Sequence, residues 1–396
     1  MSDINATPRA PRNIHSPTIG IIGGGQLAKM LGQAASQLGV QVIVLTDNPQ
    51  CPAAATCHRI ITESSNSLAS LRELASQVDV VTLENEFVDA ALLRQLEEEG
   101  HCVRPTSRSI ELVQDKLIQK DVLRAAGLPV PAFVDIPTRE SLDIAIAQLG
   151  LPLVLKKRRN GYDGKGNATL RKIEDAQKVW DELSGNQHAL FAEGFVDFTH
   201  ELAVMISRTP EGASAIYPVV ETIQKDHICH VVKAPAQIPI DVKTRAVTLA
   251  KQAVEAMQGV GSFGIEMFYS RSGEVLINEL APRVHNSGHY TIEACECSQF
   301  ENHIRTILGW PLGSPTLNAP AAVMINLLGM NNGHGYPMGI GQALQIDGAH
   351  IHVYGKSLSA PSRKMGHVTA MGASLDIAFE LAQNAAKLIR FGDSKI

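Results

Sequence analysis

Two glutamates, Glu266 and Glu279, flank a short polar turn in GSFGIEMFYSRSGEVLINEL. The flanks are apolar and strand-forming, so residues 270–273 predict a hairpin turn centred on Arg271 and Ser272. In that register Glu266 faces Ile277. Glu279, two residues further on, then shares the face of Glu266 as a diagonal neighbour. Two carboxylates among Phe, Ile, Met and Leu repel each other unless a cation joins them. Mg²⁺ takes one or two carboxylates and completes its octahedron with phosphate oxygens and water. Asn278 alternates to the other face, or reaches an edge if the strand bends. A hairpin with its polar residues in solvent is the plainer alternative. The metal is favoured because Arg283, His285 and Asn286 follow at once. A guanidinium fork matches planar or tetrahedral oxyanions, and His and Asn add neutral donors. That trio suits a small anion beside a metal, although a polar loop has the same composition.

A second group is KKRRNGYDGKGN (156–167), where four cations precede a loop containing Gly161, Tyr162, Asp163, Gly164, Lys165 and Gly166. Such a loop can bend over a triphosphate and donate backbone N–H groups. It is not a Walker motif, because the GxxxxGK[ST] spacing is missing. Lys156 falls on the preceding strand and Lys116 early in a helix over 114–126, each able to reach a phosphate. Asp163 is an acid in a basic loop and could orient or deprotonate a second substrate; a solvated turn is the alternative. A third group, Lys356, Arg363, Lys364 and His367, gathers cations near the C-terminus and implies either a bound anion or a surface accident. Gly23-x-Gly25-x-x-Ala28 follows a strand, with Asp47 ending the next strand, and matches the dinucleotide fingerprint. Its physical content is a close approach of backbone amides to some anion, or a tight turn that needs glycine for packing.

These residues need elements to hold them. TIGIIGGG, QVIVLT and VDVVTLE read as strands separated by helices, which implies a parallel sheet over 18–112. LPLVLKKRR (151–159) is a strand, residues 186–240 look antiparallel, and a helix over 241–258 precedes the hairpin. From about 311 the chain is rich in Gly, Pro and short β runs and reads as a small β-rich domain. Residues 1–17 are polar and Pro-rich, as expected of a disordered tail. Of 396 residues, 44% are hydrophobic and 19% charged, enough for a sizeable core. The net charge of −5, without a long basic run, argues against nucleic-acid or anionic-membrane partners. No apolar stretch approaches the roughly 18 residues needed to span a bilayer. The six cysteines form no CxxC pair, which points to reduced thiols in a cytoplasm rather than a zinc site.

Together these segments resemble the N5-carboxyaminoimidazole ribonucleotide synthases, a family of ATP-grasp ligases. The matching stretches are GGGQLAKM, TLENE, DKLIQK, LKKRRNGYDGKGN, AEGFV, INELAPRVHNSGHY, MINLLG and RKMGH. NELAPRVHNSGH and NGYDGKG are the most specific of them. The resemblance implies an α/β and α+β chain: a Rossmann-like domain (18–112), an ATP-grasp domain (113–310) and a small C-terminal β-rich domain (311–396). It implies ATP-dependent carboxylation of 5-aminoimidazole ribonucleotide with bicarbonate, through carboxyphosphate, in purine biosynthesis. ATP is then the co-substrate, Mg²⁺ the metal and a homodimer the expected assembly.

It also implies roles. Lys116 and Lys156 are similar to the ATP-phosphate lysines, and the loop of Gly161, Gly164, Lys165 and Gly166 to the phosphate lid. Glu193 and Val196 resemble adenine contacts and Glu201 the ribose-binding acid. Glu266 and Glu279 resemble the magnesium ligands, with Asn278 beside them. Gln26, Leu27, Glu84, Tyr162, Asp163, Lys356, Arg363 and Lys364 resemble the ribonucleotide pocket. Arg283, His285 and Asn286 resemble the bicarbonate site. The family often has a histidine in the segment aligned with residues 219–224; none is present here, so no ATP contact is assigned there.

The nearest alternative is an enzyme similar to the formate-dependent glycinamide ribonucleotide transformylase, which shares the overall plan; HNSGH and the YGK…RKMGH knot favour the carboxylating family. An NAD-dependent oxidoreductase built on Gly23–Ala28 leaves the glutamate hairpin and the NGYDGKG loop without purpose. A non-catalytic nucleotide-binding protein leaves the acids and bases unexplained.

Overall fold

The computed structural model describes residues 16–161 and 166–392. The expected tail thus lies almost entirely outside the described residues, as do Tyr162, Asp163, Gly164 and Lys165. The chain begins with a four-stranded parallel sheet in the order Arg59–Thr62, Gln41–Thr46, Thr18–Ile22 and Val80–Leu83. Its strands are continuous apolar runs because helices cover both faces. The helix Gln26–Gln37 starts at the glycine turn. There the Gly25 amide donates to Glu84 Oε1 at 2.7 Å and the Ala28 amide to Oε2 at 3.2 Å. A Cβ on Gly25 would sit 2.5 Å from Glu84 Oε1, so glycine is needed for the close approach of this carboxylate. The helix terminus is capped by an acid of the chain itself. Two of the amides a dinucleotide would use are therefore occupied by a carboxylate of the chain, which argues against the oxidoreductase alternative.

The helix predicted over 114–126 is Lys116–Ala125, and a separate helix, Ser107–Gln114, which the sequence reading does not mark, runs up to it. Asp115 lies between them in extended backbone, and its carboxylate accepts from the amides of Leu117 (3.1 Å) and Ile118 (3.4 Å). This N-cap restarts the helix and puts Lys116 at its first position.

A second, antiparallel sheet runs Phe133–Ile136, Leu190–Gly194, Leu153–Lys157, Asn167–Leu170. The helices Arg139–Leu149 and Ala176–Glu182 pack on it through Leu142, Ala145, Val179 and Trp180. The third sheet is antiparallel and has nine strands. Its main path is Val275–Ala281, Gly261–Ser270, Phe198–Arg208, Val220–Lys225, Ile228–Ala234, Ala321–Leu328, Lys364–Gly372 and Ala349–Val353; Ser214–Ile216 pairs off Phe198–Arg208. While Gly333–His334 and Leu358–Ser359 pair apart, the strands Ala321–Leu328, Lys364–Gly372 and Ala349–Val353 therefore extend the central sheet, with Val231 opposite Ile325. The helix Leu375–Leu388 covers them through Ala378, Ala382 and Ala385, an element that the reading of a β-rich end omitted. Among the described residues no helix is long and apolar enough to cross a membrane.

The glutamate hairpin differs in register from the sequence reading. The Gly273 amide donates to Ser270 O at 3.1 Å, as a turn centred on Arg271 and Ser272 requires, but Ser270 also donates to Glu274 O at 2.9 Å. Gly273 takes φ +87°, so one extra residue enters the loop. A bulge after Glu266 adds another, and Glu266 lies directly opposite Glu279 rather than opposite Ile277.

Candidate active site

A cleft of about 1310 Å³ opens between the three sheets and is lined by residues from each. Glu266 and Glu279 stand side by side on its floor, on adjacent strands. Like charges directly opposite each other destabilise a sheet, and the surroundings show how this is offset. Lys116, aimed by the Asp115 cap, pairs with Glu279. Burial opposes the charge of Glu279, but Lys116 and then Lys156 outweigh it and hold its carboxyl well below the ordinary range. Glu266 has less help. Burial, then the charge of Glu279, pushes its carboxyl up to about 8. Among the described residues there is no group of three or more His, Cys, Asp or Glu that could hold a metal. Two adjacent carboxylates, one of which lacks a cation to hold its charge, do fit Mg²⁺, which draws its remaining ligands from phosphate and water.

One wall carries the lysines. Lys156, on Leu153–Lys157, donates to Asn278 Oδ1 at 3.2 Å and pairs with Glu193. The Glu193 side chain is buried in the cleft wall and held between Lys120 and Lys156. Gly161 and Val196 line the same wall, and Phe198 stacks on Phe268 with centroids 4.9 Å apart. Glu201 lies nearby; burial pushes its carboxyl up to about 7 despite a bond from Gln224. Gln224 itself lines the cleft, in a segment to which no contact was assigned.

The opposite wall carries the second cation group. Arg283 grips Glu86 with two donors, Nε to Oε2 at 2.6 Å and Nη2 to Oε1 at 3.2 Å. His285 Nε2 lies 3.6 Å from Glu266 Oε1, and Nδ1 is 2.9 Å from Ser287 Oγ. Burial, with Arg283 and Lys364 beside it, lowers the imidazole to about 3, so the ring is neutral. Asn286 exchanges hydrogen bonds with Asn326 at 3.0 and 2.7 Å. Gln26, Leu27 and Glu84 close this end. Burial raises the carboxyl of Glu84 even though two backbone amides bond to it.

The C-terminal cations separate. Lys364 lines the cleft; Lys356 stands behind it and donates to Lys364 O at 2.7 Å. Arg363 is exposed, turns to Leu358 O at 2.7 Å and does not line the cleft, unlike its expected place in the pocket. His367 is fully buried with Nδ1 3.1 Å from the Tyr354 hydroxyl.

Sequence reasoning missed Glu86, Asp115 and Lys120. Asp115 binds Arg158 through both carboxylate oxygens, with contacts of 2.8–3.1 Å, and Lys120 pairs with Glu193 at 2.7 Å. All three fall inside TLENE and DKLIQK. The signal was an acid or lysine one or a few residues from one already chosen.

This arrangement of a parallel amino-terminal sheet, a small antiparallel sheet over a larger one, and a cleft with lysines and paired acids between them defines an ATP-grasp protein. Models of an ATP-grasp domain, a ribonucleotide synthetase preATP-grasp domain and a phosphoribosylaminoimidazole carboxylase C-terminal domain match residues 121–300, 17–114 and 322–380. The N5-carboxyaminoimidazole ribonucleotide synthase of Synechococcus elongatus is 42% identical over 374 residues, covering 94% of this chain and 93% of the relative. The crystal structure of the synthetase from Thermotoga maritima superimposes with a TM-score of 0.86 at 39% identity, covering 95% of this chain and 100% of that one. The synthase of Aspergillus clavatus in complex with ADP and 5-aminoimidazole ribonucleotide matches with a TM-score of 0.86 at 35% identity, over 94% and 98% of the two chains. The chain belongs to the N5-carboxyaminoimidazole ribonucleotide synthase family.

Proposed function

We propose that this cleft joins bicarbonate to 5-aminoimidazole ribonucleotide at the expense of ATP, giving N5-carboxyaminoimidazole ribonucleotide, ADP and phosphate. The observation that carries the reading is the paired acids Glu266 and Glu279 set between two cationic walls, one with Lys116 and Lys156 and one with Arg283 and Lys364. ATP lies along the lysine wall: adenine against residues 193–196, the ribose hydroxyls on Glu201, and the phosphates toward Lys116, Lys156 and the glycine loop. Glu266 and Glu279, with Asn278 beside them, would hold Mg²⁺, which neutralises phosphate charge when bound.

Bicarbonate sits by Arg283, His285 and Asn286. Glu86 fixes the plane of the guanidinium, and the neutral His285 binds without adding charge. A bicarbonate oxygen attacks the γ-phosphorus, ADP leaves, and carboxyphosphate forms. Lys116 and Lys156 stabilise the charge that spreads over the phosphoryl oxygens. The exocyclic amine, held through Gln26, Leu27, Glu84 and Lys364, then takes the carboxyl carbon or the CO₂ released from it. Phosphate departs and the amine loses a proton. Enclosure preserves the intermediate from water. Tyr162 and Asp163 belong to the ribonucleotide side of this reading, and Lys356 supports Lys364 from behind. A cytoplasmic homodimer completes it. ADP release that requires both the ribonucleotide and bicarbonate tests the proposal. Release with bicarbonate absent, or with formate and a glycinamide ribonucleotide in their place, overturns it.

A further inference from the structure

Lys120 is a lysine with almost no access to solvent, 2% exposed, and it does not line the cleft. Full burial of a lysine is rare unless its charge is met. Its helix, Lys116–Ala125, lies against the edge strand Val275–Ala281 that carries Glu279. Residues three and four apart share a helix face, and here 116, 119 and 120 all reach that strand. Lys116 pairs with Glu279. Gln119 holds the Leu280 backbone at both ends, accepting from its amide at 2.8 Å and donating to its carbonyl at 3.1 Å. Lys120 donates to Ile277 O at 3.1 Å and forms an ion pair with Glu193 Oε1 at 2.7 Å.

Glu193 is thereby shared. Lys120 meets one carboxylate oxygen from the interior, and Lys156 meets the other from the cleft wall. Two cations and one anion leave a single positive charge. Lys120 is sealed away from the cleft, so the surplus is expressed at Lys156, which also lines the open space. Burial lowers the ammonium of Lys120 to about 8, against the pull of Glu193, so it remains largely charged near neutrality.

We propose that Lys120 is a positioning residue for nucleotide binding: it neutralises Glu193 from inside the fold, and Lys156 thereby keeps a free positive charge for the ATP phosphates. Without it, Glu193 is matched by Lys156 alone, and the wall facing the nucleotide becomes neutral. The inference rests on the placement of ATP along this wall and predicts a rescue that simple packing does not. Removing the acid together with the interior lysine restores the balance, since Lys156 then has no carboxylate to satisfy.

The test measures Mg·ADP affinity by calorimetry for the full chain, Lys120→Met, and Lys120→Met/Glu193→Gln, with affinity for the aminoimidazole ribonucleotide measured alongside. Lys120→Met should weaken ADP binding about 10-fold or more, the loss expected when a phosphate forfeits a charge-assisted contact. Ribonucleotide affinity should stay unchanged. The double variant loses whatever Glu193 gives to adenine, yet it should bind ADP several-fold more tightly than Lys120→Met alone, because it restores one net positive charge at the wall. Unchanged ADP binding in a folded Lys120→Met overturns the proposal, as does a double variant at least as weak as the single one. If Lys120→Met does not fold, Lys120→Arg, which keeps the interior charge, decides with the double variant: the proposal expects both to retain ADP binding, and a loss of about tenfold or more in both with ribonucleotide binding intact overturns it. Failure of the ligase reading looks different: the unmodified protein itself would not bind ADP.

Discussion

Replacing Glu201 with glutamine should make the ligand-free protein more stable and the enzyme worse. Glu201 lies on Phe198–Arg208 with Phe268 opposite it on one side and Thr222 on the other. Burial pushes its carboxyl to about 7 from an ordinary 4.5, and the bond from Gln224 only partly offsets this. Above pH 7 the folded protein must therefore keep a charge that it solvates poorly. At about 1.36 kcal/mol per pH unit, the penalty is at most about 3 kcal/mol; partial solvent access brings the expectation to about 1–2 kcal/mol. Because the folded-state pKa of this acid is raised, its native form is the neutral one. The stability it contributes is present below about pH 4.5 and is lost as the pH rises from there through 7. Glu201→Gln has no charge to lose, so its advantage should be largest at pH 8 and shrink between pH 7 and pH 4.5. Thermal unfolding of the metal-free protein across that range reads the effect, and KM for ATP should rise because glutamine is a poorer acceptor for ribose hydroxyls. Equal stability of the two proteins at pH 8, or an advantage that does not vary with pH, would refute the reasoning.

Other variants separate the parts of the site. Glu279→Gln is nearly isosteric and should fold, yet it removes the charged partner of Lys116 and one of the two proposed magnesium ligands. Turnover should fall and demand more magnesium, and normal turnover at ordinary magnesium counts against the assignment. Lys364→Ala should raise KM for the ribonucleotide by roughly 10- to 150-fold, the value of a charge-assisted hydrogen bond; KM for ATP should barely move. If the order is reversed, the C-terminal cations serve the nucleotide instead. Glu86→Gln leaves the half-buried Arg283 without its anion. KM for bicarbonate should then rise more than KM for ATP, and equal rises would show a general distortion.

Much of the fold and of the site is legible in the sequence, and the parts that are not share a cause. The alternation of strands and helices, the hairpin and the shared face of Glu266 and Glu279 follow from local patterning. Their direct juxtaposition does not, because it depends on two single-residue insertions, at Gly273 and after Glu266, that periodicity cannot register. The helix Ser107–Gln114 goes unmarked because it is short and ends directly at Asp115, whose cap starts the next helix. Glu86, Lys120 and the Asp115–Arg158 pair act by meeting residues far away in the chain, and spacing carries no trace of such partners. The first glycine loop shows the same limit from the other side. Its sequence asks for an anion, and the anion proves to be Glu84, some 59 residues downstream of Gly25. The continuation of the central sheet into the C-terminal strands is likewise a long-range pairing, between Ile228–Ala234 and Ala321–Leu328.

In the proposed reaction, bicarbonate and the γ-phosphate meet directly in this cleft. Turnover with bicarbonate labelled with oxygen-18, followed by mass analysis of the released phosphate, tests it most directly. Attack by bicarbonate on phosphorus requires that one labelled oxygen pass into each inorganic phosphate formed in the presence of the ribonucleotide. Phosphate that carries no label, or takes its new oxygen from water, would contradict the account.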